Sequence, residues 1–361
     1  MQVNIRHQVS PYLLFFIIVA SQIGIGVVGF HRIIAKYAGY DAWISVLIAG
    51  AVTQLIVWIM FHLLKSAGGD IVEVHKQMFG KKIGGGLSGI IMVYYTLAAV
   101  SVLRGYIEVI QVWMFPTLPT WILASLILLL TYYITSGGFR VIAGICFVTV
   151  IYSISFYTYI FHLPNAYTHW DNLLPVFDHS FIDLLKSARA SSYSLAGFEV
   201  LLMVFPFIRN VNKSQKFAHL GLGYTTILYT ISAVTTFLFV SEKQLDHTIW
   251  ARFYIIKLLR FSFIERFEYI LISLYLINIV AILTLLFWAS SRGMKLIMKT
   301  KQRNTLIPLL LVVFLLSELI NDRYVLNRYI DSIAQASIGL FYLYIPLLWI
   351  LFILKKRREE R

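Results

Sequence analysis

The sequence predicts an all-α polytopic membrane protein of about ten transmembrane helices, with the first and sixth broken at mid-depth. Composition is the first reason. Of 361 residues, 59% are hydrophobic and only 13% are charged, with a mean hydropathy of +0.77. A soluble domain is about half apolar and about a quarter charged. The second reason is spacing: the apolar residues form runs near bilayer length, joined by short polar segments. The third lies in the first run, residues 12–38. It is interrupted by Ser21-Gln22-Ile23-Gly24-Ile25-Gly26-Val27-Val28-Gly29, which places three glycines within six residues. Glycine weakens a helix and lets other groups approach the backbone. In a bilayer, unwound backbone survives only where it is buried in protein or lines a cavity. The first span is therefore expected to bend around something.

The runs are read as spans 12–38, 42–64, 84–110, 119–136, 141–161, 181–208, 217–240, 266–291, 305–320 and 333–354. The chain is expected to form a single integral membrane domain over 1–361. Residues 1–161 make a first five-helix half and 181–354 a second, followed by a basic tail at 355–361. No room is left for a soluble catalytic domain. The first run lacks a small-residue cleavage site and leads into further spans, so it is read as a span and not as a removed signal. With the amino terminus inside, the cytoplasmic segments carry 19 basic residues and the outer ones eight. That bias places both termini in the cytoplasm.

Charge and cysteine content narrow the function classes. The net charge of +14 fits cytoplasmic loops facing anionic lipid, so the bilayer and not nucleic acid is the expected partner. The single cysteine, Cys146, excludes an internal disulfide and reads as a packing residue. The nine histidines show no ligand-type pairing within a helical turn, so no metal is expected. Gly84-Gly85-Gly86 lacks a downstream Lys-Ser/Thr, so it is read as a hinge or helix start and not as a phosphate loop. No nucleophile, base and orienter set is present. No cofactor and no enzymatic activity are expected.

A second interruption lies in the sixth span, at Ser191-Ser192-Tyr193-Ser194-Leu195-Ala196-Gly197-Phe198-Glu199. Small residues also serve plain helix packing in membranes. However, spans 1 and 6 open the two five-span halves, and interruptions in corresponding positions point to a transporter-type binding site. Ionisable residues at membrane depth are functional candidates by default. Glu199 could organise the unwound segment, join a polar relay or pair with a base. Arg104 and Glu108 share a face of span 3 at i, i+4. They read as a local ion pair or as a gate pair facing span 1, with Arg32 competing for Glu108. Asn278 lies midway along span 8, placed for an interhelical hydrogen bond or for ligand. Arg266, beside Glu265 and near Glu268, needs a partner elsewhere. Outer residues 241–265 place Ile249, Trp250, Phe253 and Ile256 at helical spacing. They read as a helix lying at the interface or, alternatively, as a lid.

Several stretches together resemble one family. They are Ile23-Gly24-Ile25-Gly26 with His31-Arg32; Ala38-Gly39-Tyr40-Asp41-Ala42-Trp43-Ile44; Leu103-Arg104 with Glu108; Phe115-Pro116-Thr117-Leu118-Pro119; Gly197-Phe198-Glu199-Val200; and Ile264-Glu265-Arg266-Phe267-Glu268. In order and spacing they are similar to the B subunit of GerA-type spore germinant receptors, a family grouped with the amino acid–polyamine–organocation permeases. The resemblance covers nearly the whole chain. It implies a LeuT-like five-plus-five inverted repeat and a site for a small-molecule germinant between spans 1, 3, 6 and 8. It also implies association with A-type and C-type receptor subunits in the inner membrane of a bacterial endospore. Carried over by position, Gly24 and Gly26 would expose backbone to a ligand carboxylate. Ala98 would line the site from span 3, Leu195, Ala196 and Gly197 from span 6, and Asn278 and Ala281 from span 8. Arg32, Arg104, Glu108 and Glu199 would serve gating or structure.

The chain departs from the family where proline commonly precedes the arginine of span 1; here His31 stands. The site positions on spans 3 and 8 are apolar apart from Asn278, which suits an apolar germinant side chain. The leading expectation is a nutrient-sensing receptor subunit. The alternative is an amino-acid permease that transports its ligand. Span 5 has no intramembrane Lys, Asp or Glu to couple an ion, although Ser290 and Ser291 could serve sodium.

Overall fold

The computed structural model describes residues 4–157, 163, 167–259, 266–320 and 322–359. Among these, secondary structure is helical, apart from one isolated parallel bridge between Val9 and Ile208. Six helical stretches are long and apolar enough to cross a membrane, and shorter apolar helices cover 13–22, 120–136, 139–154 and 198–207. Two of these short pieces belong to the broken spans.

Span 1 divides into α1 (Leu13–Gln22) and α2 (Gly26–Ala38), with Ile23 leaving helical geometry at ψ 75°. Span 2 is α3 (Ala42–Ala67). Span 3 lies within α4 (Ile71–Trp113), a longer element than the sequence pattern outlines. Its hinge is Gly80, at φ +77°, and not the expected Gly84–Gly86, which are helical. Gly84 matters for close approach instead, since a Cβ there would come within 2.5 Å of the His75 carbonyl oxygen. The absent side chain lets the amphipathic turn 71–79 fold back on the start of the span. Spans 4 and 5 are α5 (Thr120–Ser136) and α6 (Phe139–Tyr157).

Span 6 consists of α7 (Phe181–Ser192), a turn, and a second run from Phe198 to Phe207 with α8 (Leu201–Val204) at its centre. Span 7 is α9 (Val211–Phe239). The outer helices α10 (Glu242–His247) and α11 (Ala251–Ile256) follow. Spans 8 and 9 are α12 (Phe267–Met298) and α13 (Gln302–Leu319). Span 10 begins earlier than the sequence pattern indicates. It runs through α14 (Arg323–Ser337), a π-helical segment (Ile338–Tyr344) and α15 (Ile345–Glu359).

Packing explains why these particular helices tolerate breaks. Helix α1 is buried from Ile17 to Gln22 and lies against α9, α6 and α12. Helix α12, buried over most of its length, runs along α4. The broken segments are thus enclosed by continuous helices that can satisfy the freed backbone groups. By contrast, α13 turns most of its apolar surface outward, as a helix facing lipid does.

The loops at the far end of span 1 are strapped down. Asp41 accepts the backbone N–H groups of Phe177 and His179 at 3.0 and 3.2 Å, which ties the loop after span 5 to the start of span 2. The rest of that loop (158–162 and 164–166) lies outside the described residues. Helix α11 does not lie at the interface with one face in lipid. Ala251, Arg252, Phe253, Ile255 and Ile256 are buried, and the helix sits against α2, α9 and α12. The Ile249 carbonyl presses on Gly29, where a Cβ would lie 2.8 Å away. The segment is a cap over α2, the second half of span 1. Residues 260–265, the end of the expected interfacial segment, lie outside the described residues.

Candidate functional site: the paired breaks

The two breaks meet face to face. Gly197 has φ +119°, and a Cβ on it would fall on the Ser21 carbonyl, so the span 6 backbone runs directly against that of span 1. Across the same contact, a Cβ on Gly26 would lie 3.6 Å from Cα of Ser194. Span 8 reaches the first break through Ile282, whose Cδ1 lies 3.0 Å from the Cβ position of Gly24. Span 3 reaches it through Gly105, whose Cβ position lies 3.2 Å from Ile25. Spans 1, 3, 6 and 8 therefore converge at one depth.

Hydrogen bonds show how unwound backbone is kept in an apolar setting, where each unpaired group is costly. The Gln22 carbonyl accepts Tyr229 OH from α9 at 2.9 Å, and the Gly24 carbonyl accepts Tyr275 OH from α12 at 2.8 Å. The Gln22 side chain links both breaks to span 7. Its Nε2 donates to the Leu195 carbonyl at 2.5 Å and its Oε1 accepts Thr225 Oγ1 at 2.6 Å. In the second break, the Gly197 N–H donates to Glu199 Oε2 at 2.6 Å, and Tyr94 OH donates to Oε1 at 3.1 Å. Tyr95 OH donates to the Glu199 carbonyl at 2.7 Å. Tyr193 shares a 2.9 Å hydrogen bond with Ser101 of α4.

The breaks also border open space. Gly24, Ile25, Gly26, Tyr193, Ser194 and Ala196 keep accessible surface, although Val19–Ile23 before them and Phe198–Val204 after them are buried. Leu97 on α4 is likewise half-buried, one residue from Ala98. The outer half-helix α2 presents its first turn at this point. A helix N-terminus carries partial positive charge and free N–H groups suited to a carboxylate.

The other expected residues fall in several places. Leu195 and Gly197 are buried in the second break, and Ala281 is wholly buried on α12. Asn278 exchanges hydrogen bonds with Ser153 of span 5, at 3.1 and 3.3 Å, which is an interhelical tie. Ser290 and Ser291 bond back to carbonyls of their own helix.

Arg104 does not pair with Glu108. Its Nε donates to the Ile320 carbonyl at 2.6 Å, where it caps the end of α13, and Nη1 reaches Gln111 at 3.3 Å. Glu108 pairs instead with Arg323 at the start of α14, and the Arg323 guanidinium also lies over Trp250 of the outer cap. Arg32, the expected competitor, is exposed. Arg266 finds its partner on its own helix, in the hydroxyl and ring of Tyr269. Arg104 and Glu108 do share a face, but the fold supplies nearer partners from the end of span 9 and the start of span 10.

Gln22, Thr225, Tyr229 and Tyr275 are not singled out by sequence. A lone polar residue beside glycines is the available signal for Gln22. The tyrosines give none, because their partners lie far along the chain. Among the described residues, no group of three or more His, Cys, Asp or Glu could hold a metal ion. A cavity of about 440 Å³ between α5 and α13, lined by Leu128, Tyr132, Ile307 and Phe314, contains none of the break residues.

Two discontinuous helices abutting at mid-membrane, inside a scaffold of continuous ones, define the fold of LeuT-type transporters. Solved structures of this fold superpose on most of the chain. A nucleobase-cation-symport-1 family transporter, Mhp1, in a closed conformation with bromovinylhydantoin bound, gives a TM-score of 0.65 at 13% identity, over 95% of this chain and 78% of that one. MhsT in complex with L-phenylalanine gives 0.62 at 14%, over 94% and 87%. Within that class, residues 8–326 match the spore permease family, described as spore germination protein, and the chain belongs to it. Spore germination protein GerQB of Bacillus cereus is 41% identical, over 97% of each chain. Spore germination protein B2 of Bacillus subtilis (strain 168) is 23% identical, over 73% of this chain and 72% of its own. This is a membrane protein with the LeuT-type fold, homologous to spore germination proteins.

Proposed function

We propose that the chain is the nutrient-sensing membrane subunit of a spore germinant receptor. It binds an amino acid or similar small molecule between spans 1, 3, 6 and 8 and signals to A-type and C-type subunits. It sits in the inner membrane of the endospore with both termini cytoplasmic. One observation carries the reading: the two breaks abut, and their residues keep accessible surface in an otherwise buried layer. The N-terminus of α2 offers its partial positive charge to a carboxylate, with the Val27 and Val28 N–H groups already donating to the Gly24 and Ile25 carbonyls, while Ala196 and the surface beside Ala98 suit a small or apolar side chain. Bound ligand shifts the population of states that the partners read, which requires only that affinity differ between those states. Arg104, Glu108 and Arg323, under the cap formed by Trp250 and α11, are placed to hold the outer side shut.

The alternative, a permease that moves its ligand, shares the same site. Purified protein in liposomes distinguishes the two. A sensing subunit binds its nutrient without accumulating it under sodium or proton gradients, and deletion of the A- or C-subunit gene abolishes the spore response. Robust gradient-driven uptake, with the spore response intact after such deletion, overturns the sensing reading.

A further inference from the structure

Glu199 is 2% exposed, within a membrane-spanning segment. Its carboxylate has two donors, the Gly197 N–H and Tyr94 OH. The titratable groups facing it from neighbouring elements are Tyr94 and Tyr95 on α4, Tyr193 after α7, and Tyr342 in the π-helical segment. These phenols are neutral near pH 7. Among the described residues, no Lys, Arg or His lies within ion-pair distance of Glu199. A buried carboxylate without a counter-charge calls for a cation or a proton. The donor it holds also has a position of its own. Gly197 is the turning point of the second break, at φ +119°, and its N–H is the kind of donor a ligand carboxylate seeks. Glu199 occupies that donor as a carboxylate supplied from within the chain.

We infer that Glu199 is a proton-binding site, and that a carboxylate ligand and this proton bind together. The second half of this statement rests on the ligand reading above. When one oxygen of a ligand carboxylate seated at the N-terminus of α2 takes the Gly197 N–H across the contact between the breaks, Glu199 releases it and takes one proton from the surrounding water. The O–H bond forms on the freed oxygen, and the neutral acid stays beside Tyr94 and Tyr95. The proton offsets the negative charge of the entering carboxylate group; the ammonium of an amino acid then takes the site from −1 to neutral. Linkage then requires the ligand to bind more tightly as pH falls, by about tenfold per pH unit where one proton is taken up.

Infrared spectroscopy of the full chain in lipid, titrated without ligand, tests the proton site. A protonated-carboxyl band is expected to grow in as pH falls, to be absent from Glu199→Gln, and to shift to higher pH in Tyr94→Phe, which loses a donor to the charged form. Identical titrations in all three proteins overturn the site. Binding of L-leucine, L-valine and L-phenylalanine, each measured from pH 5 to 8, tests the coupling. The wild type is expected to show the tenfold slope, and Glu199→Gln a flat profile. Equal slopes overturn the coupling. If neither protein binds any of the three, the amino-acid reading fails and the coupling with it, while the infrared titration still decides the proton site.

Discussion

The two breaks solve one problem in different ways. The first spans three residues, Ile23–Ile25, and is held from outside: tyrosines on α9 and α12 cap its carbonyls. The second is longer and is held from within and from outside: the Gln22 side chain donates to its Leu195 carbonyl, and Ser101 of α4 bonds Tyr193. Glu199 reaches back two residues to the Gly197 N–H, and α4 contributes the Tyr94 and Tyr95 hydroxyls. The first break is therefore set by the scaffold, and the second by the scaffold together with a local carboxylate. A segment held by its own side chain can be released by changing one group. A segment clamped by two neighbouring helices moves only if they move.

The largest expected effect is at Gly197. Alanine there requires a left-handed backbone and puts a methyl group on the Ser21 carbonyl. Gly197→Ala should leave little folded protein in the membrane, whereas Gly26→Ala, whose Cβ has 3.6 Å to its neighbour, should accumulate normally. Equal accumulation of both would break the comparison. Gly26→Val should also accumulate but lose the nutrient response, because its branches fill the space beside Ser194.

Acid gives the next effect. His75 is buried between Ser88 and Tyr344, with 2.9 Å hydrogen bonds to both, and burial lowers its pKa to about 4. The folded state thus binds this proton more weakly than the unfolded chain does. Stability is full above about pH 6.5 and falls as pH drops towards about 4, by a ceiling of about 3 kcal/mol at 1.4 kcal/mol per pKa unit. Thermal unfolding in detergent should show this loss, and His75→Gln should flatten it. Because α4 carries both His75 and the tyrosines of the second break, protection of 193–200 should weaken before that of 21–28. Simultaneous loss would mean that the two breaks share one support.

The smallest effects come from single hydroxyls. Tyr229→Phe leaves the buried Gln22 carbonyl, and Tyr275→Phe the half-buried Gly24 carbonyl, without its donor, at about 1–2 kcal/mol for the buried one and less for the other. Both should lower the unfolding temperature modestly. Tyr95→Phe should do the same at the second break. If Tyr95→Phe alone changes the pH dependence of ligand binding, the contrast between a clamped and a titratable break is sharpened.

The breaks can be read from the sequence because glycine and serine clusters are rare inside apolar runs of bilayer length. The convergence of spans 1, 3, 6 and 8 comes through family resemblance and not from the residues alone. The hinge of span 3 is misplaced by sequence because three consecutive glycines outweigh one in any local reading. Yet Gly80 has the left-handed backbone, and Gly84 merely needs to lack a side chain. The partners of Arg104 and Glu108 escape the sequence for a related reason. Helical spacing reports which residues share a face, but not which residue of another helix lies nearer. Tyr95, Tyr229 and Tyr275 target main-chain carbonyls, which leave no mark in a sequence.

The bridge between Val9 and Ile208 has a consequence for biogenesis. The Val9 N–H donates to the Phe207 carbonyl, and the Arg209 N–H donates to the Val9 carbonyl. Arg140 and Arg209 also bond main-chain oxygens of Ile5 and Gln8. Residues 5–9 therefore find their seat only after Arg209 has been made. Span 1 is made before its anchor exists, and only the end of the sixth span supplies it.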